Sequence, residues 1–260
     1  VANLGVALLS FNALYAALAL PDTAKGSVAK SKPASITPDI KLNSSSFVSI
    51  PAKLETYFPN VIEEVYDWCS WKDVEQCINN PQFYELEFIK NGEKLNLPVS
   101  PRIWSQPHIH KEDCYKLFQD ECGMIINNFQ FISKKKCELL AGIERQFTVD
   151  AAMHVYCGIG GHGSFNIHED YAHNFIIQVE GETEWTVYNN RASYLVPKYE
   201  GIIDEKKLDV AIDVTMKAGD VLYIPARTYH RAKPKGQRLS VSIPMASIMY
   251  DTQLIGEDRR

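Results

Sequence analysis

The run HEDYAHNFIIQVEGETEWTVYN (residues 168–189) decides the fold. It opens on a polar triplet, His168-Glu169-Asp170, and continues through two apolar or alternating stretches, 174–179 and 184–188, parted by Glu180-Gly181. Working outward, the same texture recurs at 153–157, 165–169, 214–216, 221–224 and 238–243. The breakers between these runs are 158–163, Ala218-Gly219, Pro225 and 233–236. Many short strands at this spacing predict a mainly β protein, a sandwich or barrel, and not a parallel α/β sheet. No phosphate loop, no Gly-x-Gly-x-x-Gly leading into a helix and no Gly-x-Ser-x-Gly is present, which removes most support for nucleotide-binding and α/β-hydrolase readings.

Upstream of that barrel the texture is mixed α/β. Residues 111–119 and 134–143 suit short helices, and 83–89 (FYELEFI) alternates like a strand before the turn signal Lys90-Asn91-Gly92. Residues 1–20 are apolar with no charge before Asp22, and they end on Ala17-Leu18-Ala19 followed by Leu20-Pro21. Two readings of them stand: a signal or anchor segment, or an ordinary N-terminal helix packed on the domain. From Asp22 to about Ser46 the chain is rich in Ser, Thr, Lys and Pro, as in a linker or surface arm, and its sequon Asn43-Ser44-Ser45 discriminates little. Three regions follow: 1–46, an apolar segment plus linker; 47–150, a mixed α/β region packed on the barrel; and 151–260, the barrel core.

Bulk composition agrees with a globular chain. Of 260 residues, 45% are hydrophobic and 23% charged, and 14 Gly and 13 Pro are too few for a fibrous or disordered protein. Lys+Arg 27 against Asp+Glu 32 gives −5, which argues against general nucleic-acid binding because there is no basic excess to release counterions. A multi-span membrane protein is excluded, so membrane contact is expected only if residues 1–20 are an anchor. The six Cys contain no Cys-x-x-Cys pair, so a zinc knuckle and a disulfide framework are both poorly supported. Free thiols favour a cytoplasmic or nuclear location, with a secretory or lumenal one following if residues 1–20 are a signal. Oligomeric state is not legible.

Chemistry concentrates in His168-Glu169-Asp170. On a strand, His168 and Asp170 project to one face and Glu169 to the other. If that face is the barrel interior, an imidazole and a carboxylate converge away from solvent and need a partner, which a divalent metal supplies. His230 is the third ligand by choice, since it follows a tight turn, a buried strand and a Pro-fixed bend in GDVLYIPARTYH (219–230). Two His and one carboxylate form the facial set that leaves positions open on non-haem Fe(II), whereas zinc prefers a closed tetrahedron or three ligands and a water.

These residues resemble the cupin superfamily, and more closely its JmjC-type, ribosomal-oxygenase-like branch. Gly219, Pro225 and His230 fall at the spacings of the second cupin motif, with Arg227 where a second Gly is usual. In the first motif His168 and Gly181 are in register, Asp170 replaces the second His and Asn174 stands where Glu is usual. The segments WKDVEQCINN, FIKNGEKL and KEDCYKLFQDECGMIINN are similar to the upstream region of the same branch, so the resemblance covers about residues 65–245. It implies a double-stranded β-helix holding Fe(II) by His168, Asp170 and His230. It also implies oxidative decarboxylation of 2-oxoglutarate to succinate with O2, and hydroxylation of a substrate C–H. A protein or peptide side chain is the implied substrate, ahead of a small molecule. A metal-binding cupin without 2-oxoglutarate turnover, serving as a binding module or using another co-substrate, is the alternative.

One position departs from the family. Its members place a Lys or Arg two residues after Gly181, for the distal carboxylate of 2-oxoglutarate; here Thr183 stands there, between Glu182 and Glu184. A Thr hydroxyl cannot replace a charge-assisted pair. Arg238, in Arg238-Leu239-Ser240, is the candidate substitute cation, because other 2-oxoglutarate oxygenases use Arg-x-Ser on the strand after their last ligand; a salt bridge at the barrel edge is its plainer reading. His154 and Tyr156 are placed to add polar contacts, and the resemblance sets Asn174 near the metal-side carboxylate. Plainer expectations hold elsewhere: His173 on the surface, His162 in a loop, His108-Ile109-His110 a chance pair, Trp185, Tyr188 and Tyr223 in the core, and Lys134-Lys135-Lys136 solvated.

Overall fold

The computed structural model describes residues 56–97, 108–161, 164–192 and 203–247. The expectations for residues 1–46, the sequon and His162 therefore lie outside the described residues.

In chain order the strands are β1 (Thr56–Phe58), β2 (Glu85–Lys90), β3 (Glu93–Lys94), β4 (Gly123–Asn127), β5 (Val149–Ala151), β6 (His154–Gly158), β7 (His173–Arg191), β8 (Val210–Met216), β9 (Val221–Ile224) and β10 (Thr228–Ser247). Among the described residues three α-helices precede the barrel: α1 (Trp71–Asn79), α2 (Lys111–Gln119) and α3 (Lys134–Phe147). The protein is mainly β with helices in its N-terminal half, as expected. The strands pair in the order β1-β9-β7-β10-β6-β4-β2-β3, with β5 added to β10 and β8 to β7.

β7 and β10 organise the barrel. They run antiparallel from Thr228 opposite Arg191 to Met245 opposite His173, and each serves two walls. The first half of β7 and the second half of β10 join β9 and β6 in the larger wall. The second half of β7 and the first half of β10 join β8 in the smaller one. Gly181 makes the bend in β7: its φ is +73°, and a Cβ there would come within 1.9 Å of the Gln237 carbonyl oxygen. The sequence reading of two strands, at 174–179 and 184–188, is thus one strand bent at its glycine.

Two apolar clusters mark the two faces of the larger wall. Met124, Ile126, Val155, Cys157, Ile177, Leu239 and Val241 pack outward against helical residues such as Cys77, Ile78, Phe118, Leu140 and Ile143. Ile176, Leu222 and Ile224 pack the other way, against Trp185, Val187, Met216 and Ala232 of the smaller wall, and so fill one part of the barrel interior.

Local signals explain the helices. Ser70 Oγ accepts from Asp73 N while Asp73 Oδ2 accepts from Ser70 N, a capping box that starts α1. Ser133 Oγ caps α3 by accepting from Lys136 N, and Thr148 at φ +54° ends it. Asn91-Gly92, both at positive φ, close the β2–β3 hairpin expected from Lys90-Asn91-Gly92. Two expectations need correction. Residues 165–169 do not form a strand: only isolated bridges hold them, Phe165 to Gly92 and His168 to His230. Lys136 is buried, with its ammonium over the Phe129 ring, while Lys134 and Lys135 are exposed as expected. All six cysteines are free, and among the described residues no helix is long and apolar enough to cross a membrane.

Candidate metal centre and its polar wall

His168 and His230 exchange both backbone hydrogen bonds, His168 N to His230 O at 3.1 Å and His230 N to His168 O at 2.9 Å. This pairing brings one candidate ligand, from an irregular segment, beside another at the start of β10, with ring centroids 4.4 Å apart. In each ring Nδ1 lies 2.8 Å from the carbonyl oxygen two residues earlier, Asn166 for His168 and Thr228 for His230. A carbonyl only accepts, so each Nδ1 carries the proton and each Nε2 presents its lone pair. Both lone pairs face Asp170: His168 Nε2 is 4.0 Å from Oδ1 and His230 Nε2 is 3.5 Å from Oδ2. These gaps are too long for hydrogen bonds and suit a cation held by metal–ligand bonds of about 2 Å.

Donor atoms of the three residues lie within 4.8 Å of one another, and among the described residues they are the only such group of three or more metal-ligating side chains. The sequence-predicted ligands are therefore together. Their surroundings differ from the expected solvent-free interior: His230 is buried, but the side chains of His168 and Asp170 are 31% and 42% exposed. The cluster is closed towards the barrel and open outward, so a ligand can reach it. Burial, with His168 adding to it, holds the His230 imidazole below its ordinary pKa against the opposing pull of Asp170. The neutral form this favours is the form that ligates.

A polar wall adjoins the cluster. Tyr156 pairs with Ser240, and Ser240 with Gln178, so the three share a face; His154, Ser242 and Ile176 repeat the pattern two residues along. Ser240 Oγ donates to Gln178 Oε1 and Ser242 Oγ to Asn174 Oδ1, which satisfies these buried groups within the wall. Arg238 follows on the same strand. It is only 3% exposed, with its guanidinium 5.9 Å from the Tyr156 ring centroid, and burial pulls its pKa down to about 10. Its strand partners are Gly158 and Gly181, which bring no side chain beside it. Arg238 is thus a buried cation within the barrel wall. Burial also pushes the Tyr156 phenol up, with Asp170 adding to the rise and Arg238 opposing it. The three are thus within electrostatic reach of one another.

Thr183 lies on the face of β7 that also carries Trp185 and Val187, as alternation predicts, and Glu184 pairs outward with Lys235 at 3.2 Å. Glu182 likewise faces Lys217 at 3.7 Å, so neither flanking carboxylate enters the barrel. Thr183 is wholly buried, and its Oγ1 has no hydrogen-bond partner; the same holds for Trp185 Nε1, whose ring stacks on His230 at 6.0 Å. His154 is half-buried with an unpartnered Nδ1, and burial lowers its pKa while Glu87 and Asp170 raise it.

Several residues around the site were missed or misplaced by sequence reasoning. His173, expected on the surface, is buried: its Nδ1 accepts from Tyr223 Oη at 2.8 Å and from Ala226 N at 3.3 Å. His173 and Asn174 do face opposite sides of β7, but both sides are covered there, since residues 173–179 are all buried. Arg227, noted only as standing where Gly is usual, adopts φ +66°, which explains why that position favours Gly. Its buried guanidinium pairs with Glu169, Nη1 to Oε1 at 3.2 Å. His108 and His110 lie with ring centroids 6.3 Å apart and gain no third ligand among the described residues.

A rolled antiparallel barrel with two imidazoles and a carboxylate at its mouth places the protein in the cupin class of folds. Within that class, residues 124–252 match the JmjC domain family, and over them the chain is a JmjC domain. It is 26% identical over 179 residues to the bifunctional lysine-specific demethylase and histidyl-hydroxylase NO66 of Dictyostelium discoideum, covering 66% of this chain and 35% of that protein. It is 29% identical over 135 residues to ribosomal oxygenase 1 of Danio rerio, covering 50% and 25%. The match thus spans about a third and a quarter of those relatives' lengths. The structure of YcfD, a ribosomal oxygenase from Escherichia coli, in complex with cobalt and 2-oxoglutarate is similar with a TM-score of 0.51 and 18% identity, covering 79% of this chain and 52% of that one. At that identity the likeness speaks for the fold.

Proposed function

We propose that this chain is an Fe(II)- and 2-oxoglutarate-dependent oxygenase that hydroxylates a side chain of a protein or peptide. The observation that carries the reading is the donor set: two imidazoles fixed through Nδ1, with both Nε2 atoms turned to one carboxylate and an open outward side. His168, Asp170 and His230 would hold the iron. When bound, iron(II) would supply the site that activates O2; 2-oxoglutarate gives two electrons and takes one oxygen atom as it becomes succinate and CO2, and the substrate C–H gives the other two and takes the second oxygen as hydroxyl.

The chain's own residues bind and orient. Arg238 offers a guanidinium fork for the distal carboxylate, and Tyr156 Oη adds a donor on the same face. Thr183 Oγ1 supplies a further hydrogen bond in place of the usual cation, and Asn174 and His154 serve polar contacts nearer the metal. Ile176, Leu222 and Trp185 keep the interior dry, so these charge-assisted contacts are not weakened by water. The substrate class rests on relatives named as histidyl-hydroxylase, lysine-specific demethylase and ribosomal oxygenase.

A second reading, a metal-binding cupin that no longer turns over 2-oxoglutarate, is favoured by one observation, Thr183 at the cation position. Turnover separates the two. Incubation with Fe(II), 2-oxoglutarate and O2 is expected to release succinate above a His168→Ala control, and more when a peptide substrate is supplied. No succinate above that control would sink the oxygenase reading.

A further inference from the structure

Glu169 and Arg227 form a buried ion pair for which ligand binding gives no account. Both are almost wholly buried, at 5% and 2% exposure, and both stand inside the ligand-bearing segments. Glu169 separates the two candidate ligands His168 and Asp170, and Arg227 precedes His230 by three residues. Their side chains meet at 3.2 Å, and Arg227 N donates to the Asp170 carbonyl at 2.6 Å. The Tyr171 ring covers the guanidinium at 4.5 Å from its centroid. One residue is thus tied by backbone and side chain to both sides of Asp170.

The backbone of Arg227 sharpens the point. Its φ of +66° lies in the left-handed region, where a side chain with a Cβ is disfavoured and Gly is not. A strained residue persists where its surroundings over-determine it, and such positions cluster at functional sites. What Arg adds over Gly here is the link to Glu169. That link crosses from the irregular segment, which lacks strand pairing of its own, to the β9–β10 turn that delivers His230. Asp170 is 42% exposed and has no regular strand to fix it.

We infer that the Glu169–Arg227 pair is a positioning device that sets Asp170 against His168 and His230, so that the three donors meet one metal ion. Neither residue touches the metal; they act through the Asp170 backbone. The inference rests on the metal reading of the site, and the two fail separately.

The test is titration of the metal-free protein with Co(II), followed by its visible d–d absorption. Two variants are compared: Arg227→Gly, which suits the left-handed backbone and removes the charge, and Glu169→Gln, which keeps the shape. Both are expected to bind Co(II) 10- to 100-fold more weakly than the parent, the range typical of losing partners that orient ligands, with an altered d–d spectrum. The double variant should be no weaker than the weaker single one, because the pair acts as a unit. Circular dichroism monitors folding, so a loss of affinity counts only at temperatures where the variant is folded. Parental affinity and spectrum in either folded variant would overturn the inference. Failure of the parent itself to bind Co(II) would instead overturn the metal site.

Discussion

On the proposed function, the candidate metal cluster and the Arg238 wall solve two binding problems with different tolerance for change. At the cluster, three donors come from two chain segments locked by reciprocal backbone hydrogen bonds, and each imidazole is oriented by a carbonyl two residues away. A shift of one residue in either segment would turn a ligand to the wrong face. The wall needs only a cation and a few donors on one face of β6, β7 and β10, and strand pairing offers several positions for them. Coordination chemistry therefore preserves residue type and register, while recognition of a carboxylate allows the charge to move to a neighbouring strand. On the proposed reading Thr183 and Arg238 are such a move, with the cation on β10 where β7 has a hydroxyl.

The largest effect is expected at the metal cluster. His168→Ala or Asp170→Ala should abolish stoichiometric Fe(II) or Co(II) binding, measured by elemental analysis after desalting. The fold should survive, because both side chains are partly exposed. Retained stoichiometry would remove that residue from the ligand set.

Next comes the acid sensitivity of the scaffold behind it. His173 holds the start of β7 to Tyr223 and Ala226, and burial first, then Arg191, lower its pKa from 6.5 to about 4. The unfolded chain then binds the extra proton between those values. The contribution is complete above pH 6.5 and is lost as pH falls towards 4, by on the order of 3 kcal/mol. Urea midpoints of the parent and of His173→Gln should diverge above pH 6.5 and converge towards pH 4. Parallel curves across that window would contradict the assignment.

At the wall, Arg238→Ala should weaken 2-oxoglutarate binding by about 100-fold, the scale of a lost charge-assisted contact at a buried site, with metal affinity unchanged. Arg238→Lys should recover part of the loss. An unchanged half-saturation concentration would take Arg238 out of the site. The smallest effect is expected for Thr183→Val, roughly 3- to 10-fold in the same measurement. Its thermal midpoint should hold or rise, since a buried hydroxyl without a partner is removed.

The cluster was legible because its signal is motif spacing: His168 and Asp170 stand two apart, and His230 follows the turn at Gly219, whose φ is +90°, although the first two are brought in by an irregular segment and not by strand alternation. Helix α2 and strand β9 fall where periodicity put them, and α3 runs four residues further to Phe147 before its left-handed stop. Other features left no such trace. Strand β4 is buried along most of its length, so it shows no alternation; α1, by contrast, is legible from its Ser70–Asp73 capping box and its apolar face of Val74, Cys77 and Ile78. The burial of His173 depends on both faces of the start of β7 being covered, and the Glu169–Arg227 pair on the path of residues 165–172, which form no strand; tertiary contacts set both. Arg238 was legible as a candidate, but its burial between two glycine partners required the register of β6, β7 and β10.

The central claim is that one pocket takes both iron and 2-oxoglutarate, and anaerobic titration of the Fe(II)-loaded protein with 2-oxoglutarate tests it most directly. A visible metal-to-ligand charge-transfer band is expected to grow and saturate in the parent. It should require far more 2-oxoglutarate in Arg238→Ala and be absent in His168→Ala. A parent that holds iron yet develops no such band would contradict the account and leave a metal-binding cupin without this co-substrate.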